Sequence, residues 1–195
     1  MIAGIILAAG ASSRMGSPKA LLDYRGESFA NRLVRVLSGV CDPVIMVLGY
    51  HADVIRAHVS GALQFVTNPD PDRGQLSSLQ IALAAVPAEA EGFMFITVDC
   101  PAVEPETVTQ LTEAFSRRKP DTRFVIPSYR GHHGHPVCGV RGLIAEFLAL
   151  PPTGQAREVV HGHVTETEYV DVDDAGVLTD IDDRAAYERL AGRAK

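Results

Sequence analysis

The chain has 195 residues, of which 46% are hydrophobic and 22% are charged, a composition typical of globular proteins. Its formal net charge of −6 argues against broad nucleic-acid binding, which requires a basic surface. We expect neither a membrane span, which needs roughly eighteen apolar residues in a row, nor a signal peptide. Cys41, Cys100 and Cys138 are scattered, so we expect a reduced, cytoplasmic protein.

Short apolar runs alternate with helical patterns as far as residue 129. In chain order the patterns predict a strand at 2–9, a helix at 27–40, a strand at 43–49, a helix at 52–59, a strand at 63–68, a helix at 74–86, a strand at 92–99, a helix at 105–115 and an apolar segment at 122–129. This alternation predicts a parallel sheet that is covered by helices on both faces.

Beyond residue 129 the pattern weakens. Residues 135–140 and 165–172 predict two more strands, residues 142–150 predict a helix between them, and residues 181–194 predict an amphipathic C-terminal helix. No internal repeat or linker divides the sequence. We therefore predict one three-layer α/β domain that covers residues 1–195.

The loop after the first strand reads LAAGASSRMG, residues 7–16, and continues as SPKALL. It follows neither the dinucleotide-binding G-x-G-x-x-G pattern nor a Walker A loop, because five residues separate Gly10 from Gly16 and Ser17-Pro18 precedes Lys19. It combines exposed backbone N–H groups with two cations, Arg14 and Lys19, which could together surround a triphosphate. The alternative interpretation is a tight turn with solvent-facing cations.

This loop resembles the signature L-A-A/G-G-x-x-x-R-M-G-x-x-K of the MobA-like nucleotidyltransferases, which include the molybdenum cofactor cytidylyltransferases and guanylyltransferases. Four later segments resemble that family in order and spacing: NPDPDRGQLSSLQIAL at 68–83, FITVDCPAV at 95–103, YRGHHGHPV at 129–137 and DIDDRAAYERL at 180–190. The resemblance covers nearly the whole chain. It implies a three-layer α/β/α, Rossmann-like nucleotidyltransferase fold with a mostly parallel mixed sheet.

The family resemblance also implies a reaction, in which a phosphate or hydroxyl oxygen attacks the α-phosphorus of a nucleoside triphosphate and pyrophosphate leaves. Arg14, Lys19 and Asp99 would be catalytic, and Asp99 and Asp182 would hold Mg²⁺. The implied nucleotide-binding residues are Leu7, Ala8, Ala9, Gly10, Ser12, Arg14, Gly16, Lys19, Asn68, Gly74, Ser77 and Ser78.

Several of these roles have structural alternatives. Asp99 could instead cap the following helix, and Asp180, Asp182 and Asp183 compete for the second metal ligand, one of them being expected to cap a helix. Asn68 offers both a donor and an acceptor to a pyrimidine edge. Ser77 and Ser78 lie at a predicted helix start, where they could meet ribose or phosphate or simply begin the helix.

The choice of base depends on one residue. Ala9, in LAAG, is typical of the cytidylyl branch, whereas the guanylyl branch usually has glycine there. The resemblance therefore implies CTP as the substrate.

The acceptor is less closely defined. His133, His135 and Arg157 are predicted on the acceptor side, but His132 and His133 replace the family's usual basic residues, and PTGQAR replaces its usual G-D-x-G-A-R. Molybdopterin is the implied acceptor, and a sugar or polyol phosphate is the alternative. A molybdoenzyme or its insertion chaperone is the implied recipient of the product.

Two further alternatives come from other classes. An oxidoreductase or a non-catalytic binding module could keep the same fold, although Arg14, Lys19, Asp99 and Asp182 argue against this. A zinc site could be suggested by five histidines, His132, His133, His135, His161 and His163, but no cysteine pair accompanies them.

Overall fold

An eight-stranded mixed sheet runs through the computed structural model, which describes residues 1–193. The strands are β1 (Ile2–Ala8), β2 (Asp23–Tyr24), β3 (Glu27–Ser28), β4 (Val44–Leu48), β5 (Gln64–Thr67), β6 (Gly92–Thr97), β7 (Phe124–Tyr129), β8 (His132–His133), β9 (Val137–Val140) and β10 (Thr167–Asp171). The helices are α1 (Phe29–Ser38), α2 (Ala52–His58), α3 (Gln75–Ala84), α4 (Pro105–Arg117), α5 (Ile144–Ala149), α6 (Ala156–Gly162) and α7 (Arg184–Arg193).

The main sheet has the strand order β10-β7-β9-β6-β1-β4-β5, with β8 paired to β7, while β2 and β3 form a separate hairpin. The pairs β1–β4, β1–β6, β4–β5 and β7–β10 are parallel, whereas β9 is antiparallel to both β6 and β7. Strand β9 is thus reversed between two strands that share one direction. The carboxyl ends of β1, β4, β5, β6, β7 and β10 therefore reach the same edge of the sheet.

Two apolar cores cover the two faces of this sheet. Along β1 the side chains alternate: Ile2 and Ile6 belong to the core that also contains residues of α1, α4 and α7, whereas Ile5 and Leu7 belong to the core that contains residues of α3, α5 and α6. This three-layer arrangement confirms the predicted α/β/α fold and the mostly parallel mixed sheet. Within residues 1–193 no helix is both long enough and apolar enough to cross a membrane.

The structure departs from the predicted elements mainly after residue 129. Helix α6 is absent from the predictions, although Gln155 and Glu158 form a capping box at its start. The two-residue strands β2, β3 and β8 are too short to show a sequence period. The C-terminal helix begins at Arg184 rather than at residue 181, and residue 194 lies outside the described residues.

Candidate active site

The first loop and Asp99 meet at the centre of the sheet. Strands β1 and β6 are parallel neighbours, and their ends are aligned, with Leu7 opposite Thr97. The chain leaves β1 towards β4 and β5 on one side and returns to β6 on the other. Such a reversal of strand order opens a crevice beyond the carboxyl ends, which is where α/β proteins bind ligands.

The first loop presents backbone N–H groups that could donate to a ligand. Ser12 has a left-handed backbone conformation with φ of 53°, its carbonyl accepts a hydrogen bond from the N–H of Met15, and its hydroxyl accepts one from the N–H of Lys19. The N–H groups of residues 10–14 donate to no acceptor in the described part of the chain. This arrangement is compatible with N–H donation to phosphate oxygens.

A close backbone contact fixes where this loop begins. The N–H of Tyr50 donates to the Ala9 carbonyl at 3.1 Å. A Cβ atom on Gly49 would lie 2.7 Å from that carbonyl oxygen, so only glycine permits the approach. The end of β4 thereby holds the start of the loop.

A pocket of about 300 Å³ lies between the first loop, the start of α3 and the end of β6. Eleven of the predicted site residues line it: Leu7, Ala8, Ala9, Gly10, Ser12, Arg14, Lys19, Gly74, Ser78, Asp99 and Asp182. Ile55, Pro71, Gln75 and Thr97 also line it, although they are not among the predicted site residues. Of these, Gln75 directly follows the predicted Gly74 and could have been found from its place at the helix start.

Lys19 joins the two carboxylates that were predicted to bind metal. Its Nζ lies 3.3 Å from Asp99 Oδ2 and 3.0 Å from Asp182 Oδ1. The hydrogen bond from Lys19, together with its charge and that of Arg14, lowers the pKa of Asp182 below its ordinary value. Both carboxylates therefore face one common cation position at the side of the pocket. Arg14 is exposed and forms no ion pair within residues 1–193.

The three competing aspartates have separate environments. Asp182 faces Lys19, while Asp183 caps α7 by accepting a hydrogen bond from the N–H of Ala186 at 2.8 Å. Asp180 instead accepts a hydrogen bond from the Cys100 thiol at 2.9 Å. The geometry thus favours Asp182 as the partner of Asp99, and the expected helix cap is Asp183.

Asn68 requires a correction. The sequence predicts contact with the base, but the side chain is only 3% exposed, and its amide donates to the hydroxyls of Ser77 and Ser78 at 2.9 Å each. Its carbonyl oxygen accepts from the N–H of Asp70. With both donors used inside the protein, Asn68 supports the start of α3 from behind the pocket. Ser77 is buried there as well, and its hydroxyl donates to the Gly74 carbonyl.

Gly16 and the predicted acceptor residues do not line this pocket. Gly16, with φ of 70°, allows the turn after Met15. Arg157 lines a neighbouring pocket of about 340 Å³ together with Arg73, and the two pockets share Gly74 and Gln75. His133 is exposed on β8, where its ring stacks on Tyr169 with 3.7 Å between centroids. The predicted acceptor residues are therefore spread over different places.

His135 is brought together with two residues from other segments. Its ring lies close to Cys100 and Asp180, and potential ligand atoms of the three residues all lie within 4.8 Å of one another. Burial lowers the pKa of His135, against the opposing effect of the charges on Asp180 and Asp99. Burial and these same two carboxylates raise the pKa of the Cys100 thiol.

Another histidine of the zinc alternative is already paired. His163 lies between Glu166, 2.5 Å from its Nδ1, and Glu146, 2.7 Å from its Nε2. Hydrogen bonds to these carboxylates raise the pKa of His163. Its contacts explain the residue as a structural link between α5 and the segment after α6.

Comparison with known proteins identifies the family of this chain. The family described as the MobA-like NTP transferase domain matches residues 4–168. The chain belongs to this family. It is a nucleotidyltransferase, which sets aside the alternatives of an oxidoreductase and a non-catalytic module.

The relatives agree in reaction class and fold. The molybdenum cofactor cytidylyltransferase of Escherichia coli K12 is 26% identical, over 91% of this chain and 89% of its own. A probable molybdenum cofactor guanylyltransferase of Opitutus terrae is 37% identical, over 60% of this chain and 57% of its own. The crystal structure of Rv0371c from Mycobacterium tuberculosis H37Rv has a TM-score of 0.83 and 29% identity, covering 98% of both chains.

The segment that carries Asp99 in this transferase depends on a buried cation that sequence reasoning missed. Arg32, on α1, is 4% exposed and donates to the carbonyls of Pro101 and Val103 at 2.7 and 3.2 Å and to Glu104 at 2.8 Å. Asp174 supports the same segment by accepting from the Glu104 N–H at 2.9 Å. No local pattern distinguishes Arg32 from Arg35, the other arginine of α1.

We expect the substitution Arg32→Met to lower the free energy of unfolding by about 2–4 kcal/mol, because two buried carbonyls lose their donor and Glu104 keeps only Arg25 of its two arginine partners. Arg35→Met is the matched control on the same helix, since Arg35 is 54% exposed and its ion pair in the described part of the chain is with the surface residue Glu27. We expect that control to lose less than about 1 kcal/mol. Urea unfolding measures both values, and equal losses would contradict the role given to Arg32.

Proposed function

We propose that this transferase moves CMP from CTP to the terminal phosphate of molybdopterin, with Mg²⁺ as its metal ion. The observation that carries the proposal is the convergence of Asp99 and Asp182 on one cation position beside a loop whose N–H groups at residues 10–14 have no acceptor within residues 1–193. Lys19 supplies that cation in this structure. We further propose that the enzyme works in the cytoplasm. The free thiols of Cys41, Cys100 and Cys138 support this proposal, because a reducing compartment keeps cysteines unpaired.

The residues around the cation position are suited to magnesium. Both carboxylates offer hard oxygen donors, and Asp182 has a side chain that is 59% exposed, so an ion can enter from solvent. Mg²⁺ bound there would act as a Lewis acid that neutralises charge on the phosphate oxygens. The Rv0371c complex with manganese, 29% identical with a TM-score of 0.81, supports a divalent ion in this family.

The chain's own residues would align the reactants. The N–H groups of residues 10–14 hold the triphosphate, and Arg14 and Lys19 neutralise it. An oxygen of the acceptor phosphate forms a bond to the α-phosphorus while the bond from the α-phosphorus to the β-phosphate oxygen breaks. Pyrophosphate leaves with that electron pair, and Lys19 stabilises its charge. The reaction needs no covalent enzyme intermediate.

The acceptor would bind next to this pocket. Arg73 and Arg157 line the neighbouring pocket and place two cations beside the start of α3. Arginine forks are well suited to phosphate oxygens, so the acceptor's phosphate would approach from there. The Escherichia coli relative's name supports molybdopterin and CTP. The recipient of the product would be a molybdoenzyme or its insertion chaperone.

We expect pyrophosphate release from CTP when Mg²⁺ and molybdopterin are both present, and little release from GTP, ATP or UTP. Ligand binding to the native state also raises thermal stability, so CTP should give the largest Mg²⁺-dependent shift. Selective use of GTP would contradict the base choice. Release only with sugar or polyol phosphates would replace molybdopterin, and no release with any pair would contradict the proposal as a whole.

The substitution Lys19→Met should lower kcat/KM for pyrophosphate release by about 100-fold or more, because a preorganised cation beside the developing charge is lost. The control is Lys119→Met, which removes the same charge from an exposed site after α4 that does not line the pocket. Steady-state kinetics measure both variants. A loss shared equally by the two would show that net charge, rather than position, matters.

A further inference from the structure

Three segments bring a thiol, an imidazole and a carboxylate together beside the catalytic carboxylates. Cys100 follows β6, His135 precedes β9 and Asp180 lies before α7, and one potential ligand atom from each lies within 4.8 Å of the other two. Backbone hydrogen bonds tie these segments together. His135 N–H donates to the Val177 carbonyl at 2.9 Å, and Ile181 N–H donates to the Asp99 carbonyl at 2.8 Å.

The arrangement leaves nitrogen and oxygen lone pairs of His135 and Asp180 available to bind a metal ion. The ring of His135 is held edge-on against Phe95, with 5.9 Å between centroids, and it forms no hydrogen bond to side chains or backbone within residues 1–193. Asp180 accepts only the thiol of Cys100 and has no cation partner in the same range. The buried Cys100 also lies 3.2 Å from the hydroxyl of Thr97.

We propose that Cys100, His135 and Asp180 form a binding site for a borderline-soft divalent ion such as Zn²⁺, separate from the Asp99–Asp182 position. Sulfur, nitrogen and oxygen donors in one cluster suit such an ion, whereas Mg²⁺ prefers oxygen donors alone. Typical zinc–ligand distances of about 2.0–2.3 Å place the ligand atoms of one ion within the separation seen here. Asp180 is exposed, which gives an ion a route from solvent.

The site would keep an open position. Three protein ligands occupy three corners of a tetrahedron, and the fourth remains for water or another small ligand. The adjoining pocket already holds Lys19 against Asp99 and Asp182. The two positions therefore differ in their ligand atoms. A hard ion should prefer the Asp99–Asp182 position, and a softer ion should prefer the position formed by Cys100, His135 and Asp180.

The test uses cobalt as a spectroscopic substitute for zinc. We expect the full-length protein, first freed of metal with EDTA, to develop a thiolate-to-cobalt charge-transfer absorption when Co²⁺ is added. Zn²⁺ should displace the cobalt and remove the absorption. Saturating Mg²⁺ should leave it unchanged, because a hard cation competes poorly for thiolate.

Variants decide which residues are responsible. Cys100→Ala should abolish the absorption, whereas Cys41→Ala, which removes another buried thiol, should retain it. His135→Gln and Asp180→Asn should each weaken Co²⁺ binding at least about tenfold. Thermal unfolding in EDTA checks that each variant folds. If Cys100→Ala does not fold, the His135→Gln and Asp180→Asn variants still test the site.

Three results would overturn the proposal: no charge-transfer absorption in the wild-type protein, unchanged absorption in Cys100→Ala, or displacement of cobalt by Mg²⁺. The last would place cobalt at the Asp99–Asp182 position instead. None of these results depends on transferase activity, so they can be separated from failure of the proposed function.

Discussion

Lys19 connects two carboxylates that are far apart in the sequence, Asp99 at the end of β6 and Asp182 before α7. Since Asp182 is 59% exposed, this ion pair adds at most about 1 kcal/mol to stability. The stability of the fold is therefore a weak reason for Lys19, Asp99 and Asp182 to lie together. A shared cation position beside the pocket gives a better reason, because binding of phosphate and metal both require charges held in place before the ligand arrives.

The strand order makes this arrangement possible. Because β1 and β6 are parallel neighbours, the loops after them begin side by side, and the reversal of strand order leaves a crevice between them. Contacts behind the pocket then fix the loops. Gly49 admits the carbonyl of Ala9, Arg32 holds the segment after Asp99, and Asn68 holds the start of α3. The shape of the pocket therefore depends on buried contacts behind it as well as on the residues that line it.

The sequence predicted what is local or what a family signature records. Apolar runs of five to seven residues located β1, β4 and β6, and the signature located the loop at residues 7–16. The sequence could not predict the direction of the Asn68 side chain, because an amide can hydrogen-bond equally well to a ligand or to other residues of the protein. Nor could it predict that Cys100 meets His135 and Asp180, because their proximity arises only from the packing of three distant segments.

The direct test of the shared cation position is Mn²⁺ binding in the presence of CTP, followed by electron paramagnetic resonance. Asp182→Asn and Asp183→Asn each remove one negative charge, from neighbouring positions, and asparagine caps a helix about as well as aspartate does. If Asp182 and Asp99 hold the ion, Asp182→Asn should weaken Mn²⁺ binding at least about tenfold while Asp183→Asn leaves it unchanged. Equal affinities in the two variants would contradict the account.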